Sequence, residues 1–186
     1  MKRNSILTLL RQHVPLDEEE RQMWLDTLQF IAQNPDCFER WLKPGHVTGS
    51  AWIIDRQKAS VLLMHHRKLD RWFQPGGHAD GDPDILQVAL KEAREETGLE
   101  EIEVIDSKIF DVDVHLIPEN PKDPAHYHYD IRFLLGADSQ KSLIINTESK
   151  DLAWVPFDKV EQYNHSNSIM RMVKKMKVRE DFRENF

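Results

Sequence analysis

Residues Gly77 to Leu99 read GHADGDPDILQVALKEAREETGL, and the glutamates near the end of this stretch, Glu92, Glu95 and Glu96, decide how the chain is understood. Asp82 suits a helix cap, Pro83 a first helical position and Gly98 the left-handed residue that follows a last turn. The spacing therefore predicts a helix from Pro83 to Thr97. On such a helix the three carboxylates stand at i, i+3 and i+4 and project from one face. Like charges so placed cost about 0.2–0.5 kcal/mol per pair, so they persist either because water screens them or because a cation binds. Taken alone, E-x-x-E-E reads as a solvated face. What surrounds it changes that reading.

Hard divalent cations such as magnesium take carboxylates, water and substrate phosphate as ligands, and three glutamates on one helix supply the protein's share. Cleavage of a diphosphate needs charge neutralised on the phosphoryl oxygens and a carboxylate base to activate the attacking water. Gly76 and Gly77, expected in a tight strand-to-helix turn, let backbone approach a metal or a phosphate with no side chain in the way.

Gly77 through Leu99 resembles the Nudix box, and the likeness is closest over Glu92-Ala93-Arg94-Glu95-Glu96-Thr97-Gly98-Leu99. It extends more loosely from Val47 to Trp154-Val155-Pro156, which is similar to the tryptophan-containing strand that often follows the box. The resemblance implies an α/β fold, a Nudix-like α/β/α sandwich around a mixed sheet. It also implies a magnesium-dependent pyrophosphohydrolase, with manganese as the alternative ion. Glu92, Glu95, Glu96 and the carbonyl of Gly76 would be metal ligands. Glu92 and Glu95 would be catalytic, and Glu148, ahead of the Trp154 strand, is a further candidate ligand or base. Gly77 and His78 are candidates for substrate contact. The implied partner is a small nucleoside diphosphate derivative: a nucleotide, a dinucleotide or a nucleotide sugar. Two other readings stand beside this one, a non-catalytic nucleotide-sensing module and an isoprenoid-diphosphate isomerase on the same fold. The isomerase would need a suitably placed cysteine, and Cys37 lies in the helical region before the box.

The chain departs from the pattern in two places. Lys91 replaces the arginine that opens the conserved helix segment, keeping the charge and losing the bidentate fork that holds a carboxylate. Pro83 stands where a loop glutamate is expected, flanked by Asp82 and Asp84.

Outward from the box, residues 17 to 33 carry Met23, Trp24, Leu28 and Ile31 at helical spacing, and Lys43-Pro44-Gly45 marks a boundary. Residues 1–43 thus read as a helical appendage and residues 44–186 as the catalytic domain with a C-terminal helix. Strands are expected over Thr48 to Ile54, Ser60 to His65, briefly near Trp72, Phe110 to Leu116, Tyr127 to Leu135 and Ala153 to Val155. The closing helix is expected over Ser168 to Lys177, with Ile169, Met172, Val173 and Met176 inward. Within Tyr127 to Leu135 and just before it, His126, His128, Asp130 and Arg132 alternate with Tyr127, Tyr129, Ile131 and Phe133. The polar face is expected to meet water or a wet substrate cleft, with Arg132 on a phosphate and His126 and His128 as hydrogen-bond donors. His-x-His-x-Asp is also a weak transition-metal pattern, lacking a fourth ligand at diagnostic spacing.

At 186 residues the chain fits one domain with a modest appendage. Its net charge of -7 argues against duplex nucleic acid as a partner, because binding there depends on lysine and arginine neutralising phosphates. The basic run Lys174, Lys175, Lys177 and Arg179 reads as a solvated helix end. No apolar stretch has the length that spans a bilayer, and Met1-Lys2-Arg3 precedes too broken an apolar run for a signal peptide. With a single cysteine and no disulfide, a cytoplasmic setting is expected. Oligomeric state stays open, with a homodimer among the options.

Overall fold

The computed structural model describes residues 3–121 and 123–179, so both ends of the chain, Met1-Lys2 of the N-terminal reading included, lie outside the described residues. The glutamate helix, α3, runs from Ile85 to Thr97, two residues shorter at its start than the sequence signals suggest. Asp84 is its cap, accepting from the Gln87 N–H at 3.2 Å. Asp82 instead accepts from the Asp84 N–H at 2.9 Å, closing the turn before the cap. That turn consumes the Asp82 carboxylate and leaves Pro83 ahead of the helix rather than in its first position. The other end matches expectation, with Gly98 at φ +74 and its N–H on the Arg94 carbonyl at 2.9 Å.

The chain divides into two compact units. The first comprises Met1–Ser50, Gly76–Ala89 and Asp106–Phe133. It holds α1 (Asn4–Gln12) and α2 (Glu18–Gln33), whose Asp17 cap accepts from the Glu20 N–H at 2.9 Å. Glu20 is fully buried. Its carboxylate meets His13 Nε2 and the Leu16 N–H, each at 2.7 Å, and the Val112 N–H at 3.2 Å. His13 Nδ1 lies 3.0 Å from the Ile109 carbonyl. These bonds fasten both helices to the strand carrying Ile109 and Val112, with polar groups that would be costly to leave unpaired inside.

The strands of this unit are the first part of β1 (Gly45–Asp55), β4 (Gly76–His78), the later part of β5 (Ile102–Ile117) and the first part of β6 (His126–Ala137). β4 pairs antiparallel with β1, Thr48 opposite His78 and Ser50 opposite Gly76, while β6 neighbours β1 and β5 neighbours β6. The Gly76-Gly77 pair is therefore extended strand, not the tight turn expected. The turn comes later, at Asp80 and Gly81, both at positive φ. A Cβ on Gly76 would lie 2.8 Å from Ser50 Cα, so glycine here permits close strand approach.

The second unit comprises Ala51–Pro75, Leu90–Ile105 and Leu134–Phe186. The expected hairpin is present, with β1 paired to β2 (Ser60–His66) through Ile54 opposite Val61. Asp55 closes it, its carboxylate accepting from the Ala59 and Ser60 N–H groups at 2.7 and 2.8 Å. β2 also pairs with β3 (Arg71–Phe73) and, over most of its length, with β7 (Ser149–Pro156). After a short turn and α4 (Val160–Tyr163), α5 (Asn167–Val178) is capped by Ser166 and buries Ile169, Met172, Val173 and Met176 as its periodicity predicts. Lys175, expected on the solvated end, is buried as well, because it falls on the inward side of the same helix. Among the described residues no helix is long and apolar enough to cross a membrane.

Candidate active site

The three glutamates share the second half of α3 but not one environment. The Glu95 side chain is 59% exposed and that of Glu92 19%, whereas Glu96 is buried. The spacing places them in a graded row from solvent toward the core. Lys91 Nζ lies 3.5 Å from Glu92 Oε1 and 3.8 Å from Glu95 Oε2. A single ammonium at those distances, itself mostly exposed, relieves the repulsion without clamping either carboxylate. Glu92 and Glu95 could thus hold a hard cation, since magnesium takes oxygen ligands of this kind.

Glu148 is brought to the same end of α3 by its loop. The Ile144 N–H donates to the Thr97 carbonyl at 2.8 Å, and Asn146 Nδ2 donates to the Glu95 carbonyl at 3.4 Å. Asn146 Oδ1 in turn accepts from the Glu148 N–H at 2.9 Å. The Ile144 side chain packs where a Cβ on Gly98 would stand. Glu148 itself is exposed and lies near His66, whose imidazole is held below its ordinary pKa chiefly by burial and partly restored by the Glu148 charge. The loop that carries Glu148 is therefore tied to the C-terminal end of the glutamate helix within the second unit.

The other site candidates, Gly76, Gly77, His78, His126, His128 and Arg132, belong to the first unit. The strand face expected to meet water is largely closed, with only His128 half-buried. His126, Asp130 and Arg132 are buried, as are Ile131 and Phe133 on the opposite face. Arg132 is held by three carboxylates: Nε on Asp130 at 2.7 Å, Nη1 on Asp111 at 3.1 Å and Nη2 on Asp113 at 3.2 Å. Burial opposes its charge, but Asp113, Asp130 and Asp111 outweigh burial and raise its pKa above the ordinary arginine value. Each guanidinium nitrogen meets a carboxylate, so Arg132 serves as the counter-ion of these three aspartates. Asp130 completes the arrangement by accepting from Thr48 and Ser50 hydroxyls at 2.9 and 2.8 Å.

Beside this layer stand packed imidazoles. His46 lies with its ring 5.0 Å from His78, 5.0 Å from His126 and 4.9 Å from His128. Burial, helped by repulsion from His78 and His126, lowers the His46 pKa to about 4. Burial likewise lowers His128 to about 2 and His78 below its usual value. Sequence reading missed His46, although His46, Thr48 and Ser50 alternate along β1 just as His126, His128 and Asp130 do along β6. Cys37 is fully buried, which pushes its thiol up to about 11 and removes it from any solvent-facing acid-base role.

The model of the NUDIX domain family matches residues 44–176. No curated protein sequence matches the chain. Among solved structures, a C. elegans Ap4A hydrolase binary complex is similar at 15% identity and TM-score 0.58, over 75% of this chain and 98% of that one. The E. coli dihydroneopterin triphosphate pyrophosphohydrolase is similar at 15% identity and TM-score 0.53, over 69% and 92%. The NUDIX domain of Shewanella oneidensis NrtR, complexed with ADP ribose, is similar at 16% identity and TM-score 0.51, over 79% and 94%. At these identities the likeness carries the fold: an α/β/α sandwich around a mixed sheet.

Proposed function

The chain belongs to the NUDIX domain family, and from that premise we propose that it is a divalent-cation-dependent hydrolase of a nucleoside diphosphate derivative. The observation that carries the reading is the carboxylate edge of the second unit, where Glu92, Glu95 and Glu96 follow one another on α3 and the Glu148 loop is hydrogen-bonded to the same helix end. Glu92, Glu95 and Glu96 are the residues to hold the cation, and their oxygen-only donor set favours magnesium, then manganese. When bound, the cation neutralises charge on the phosphoryl oxygens. A glutamate of this edge, Glu148 or one on the helix, accepts the proton of the attacking water, and the diphosphate bond breaks toward the better-stabilised leaving phosphate.

The similar structures are described with Ap4A, dihydroneopterin triphosphate and ADP ribose, which share a nucleoside-like group joined through a phosphoanhydride. That is the substrate class we assign, and we place the reaction in the cytoplasm as part of the same proposal. The test is a panel of dinucleoside polyphosphates, nucleoside triphosphates, ADP-ribose and nucleotide sugars, assayed with magnesium and with EDTA. At least one compound is expected to be cut with magnesium and none in chelator. Undiminished turnover in EDTA would overturn the mechanism. Binding of panel members without cleavage would favour the sensing module instead.

A further inference from the structure

We propose that His46, His78 and His128 form a binding site for a divalent transition-metal ion of the zinc class, with a fourth position open to water or an anion. One nitrogen from each imidazole lies within 4.8 Å of the other two. The three residues sit on three strands, β1, β4 and β6, and β4 and β6 both neighbour β1. The Thr48 to His78 pairing sets His78 against β1 two residues from His46. Backbone pairing therefore preorganises the set, as a metal site on rigid elements requires.

Unsatisfied polarity marks the place. His46 is 2% exposed, and neither of its ring nitrogens nor His128 Nε2 makes a hydrogen bond of ordinary geometry, although the Leu42 backbone lies close enough to His46 to interact with it. A buried polar atom left unpaired costs about 1–3 kcal/mol, so three in one cluster need a reason. A coordinated ion supplies one for the ligating nitrogens. A tetrahedral site with Zn–N near 2.0–2.1 Å sets its nitrogens about 3.4 Å apart, which small ring rotations achieve from the present spacing.

The donor chemistry separates this ion from that of the glutamates. Imidazole nitrogens suit zinc, copper, nickel or cobalt, whereas magnesium takes oxygen ligands. His126 borders the set, its Nδ1 2.8 Å from the Pro124 carbonyl, an orientation that leaves Nε2 as the nitrogen with a free lone pair. The inference does not rest on the hydrolase reading and can fail or hold without it.

The test uses tag-free, full-length protein stripped by chelator, then titrated with Co2+ alone and with Zn2+ alone. We expect one equivalent of Co2+ to give an intense ligand-field band of a low-coordinate nitrogen site, displaced by Zn2+ and unaffected by excess Mg2+. His46→Asn and His128→Gln should each weaken Zn2+ binding by about 100-fold or more, beyond the 10–100-fold of an outer-shell change. His78→Gln, at a half-buried position, gives the same readout should the fully buried variant fail to fold. Glu95→Gln should keep the band. No band in wild-type protein, or a band that survives His78→Gln, would overturn the proposal. So would a band lost in Glu95→Gln, which would place the ion on the glutamates.

Discussion

On α3, Glu92 and Glu95 face one lysine across 3.5 and 3.8 Å, with Glu95 and Lys91 mostly in water. On β5 and β6, Asp111, Asp113 and Asp130 close around Arg132 at 2.7 to 3.2 Å, and all four side chains are buried. The first region gathers two carboxylates about one cation and the second gathers three. Exposure separates their roles. An exposed pair is worth about 0–1 kcal/mol, so the helix carboxylates gain little from Lys91, which on the proposed function a divalent ion would displace. A buried set cannot release its cation without stranding charge in a low-dielectric interior, so the strand aspartates are committed to the fold.

The contrast breaks most sharply on activity. Glu95→Gln should lower kcat by about 10²–10⁴-fold in magnesium while the melting temperature stays near that of the wild type, since an exposed isosteric change opens no cavity. Near-normal turnover would remove Glu95 from the catalytic edge. On the buried side, Arg132→Met should lower the unfolding free energy by about 3–5 kcal/mol in urea titration, because three carboxylates lose their counter-charge. Replacing Asp111, Asp113 and Asp130 by asparagine in that background should restore part of the loss. A cost below about 1 kcal/mol would mean that the aspartates are hydrated and the two regions are not different in kind.

Two smaller effects sharpen the comparison. Gly98→Ala should destabilise by about 1–2 kcal/mol, since Gly98 stands at φ +74 and an added Cβ would meet the Ile144 side chain 2.5 Å away. The same change should also lower turnover by displacing the loop that carries Glu148, which kinetics on the folded variant would show. Lys91→Ala should shift stability by less than about 0.5 kcal/mol in the same titration, as an exposed and loosely placed cation allows. A larger loss would show that Lys91 clamps the glutamates after all.

The glutamate helix, its Gly98 terminus, the β1–β2 hairpin and the inward face of α5 were all legible in the sequence. Each depends on periodicity or on capping chemistry within a few residues. The helix start was displaced because Asp82 and Asp84 offer equivalent caps and only the closed turn shows which oxygen reaches Gln87. β5 begins at Ile102, well before its alternating part, because that stretch is a strand through its neighbour rather than through its own pattern.

The sequence by itself determined that three glutamates share one helix face and that polar residues alternate along β6, because spacing fixes direction within an element. Only the tertiary structure decided that the β6 face is buried. A polar face says that its groups need partners, and whether water or other strands supply them depends on what packs against it. Here Asp111 and Asp113 arrive from β5, Thr48 and Ser50 from β1, and His46 and His78 from β1 and β4, so side chains far apart in the chain replace the solvent.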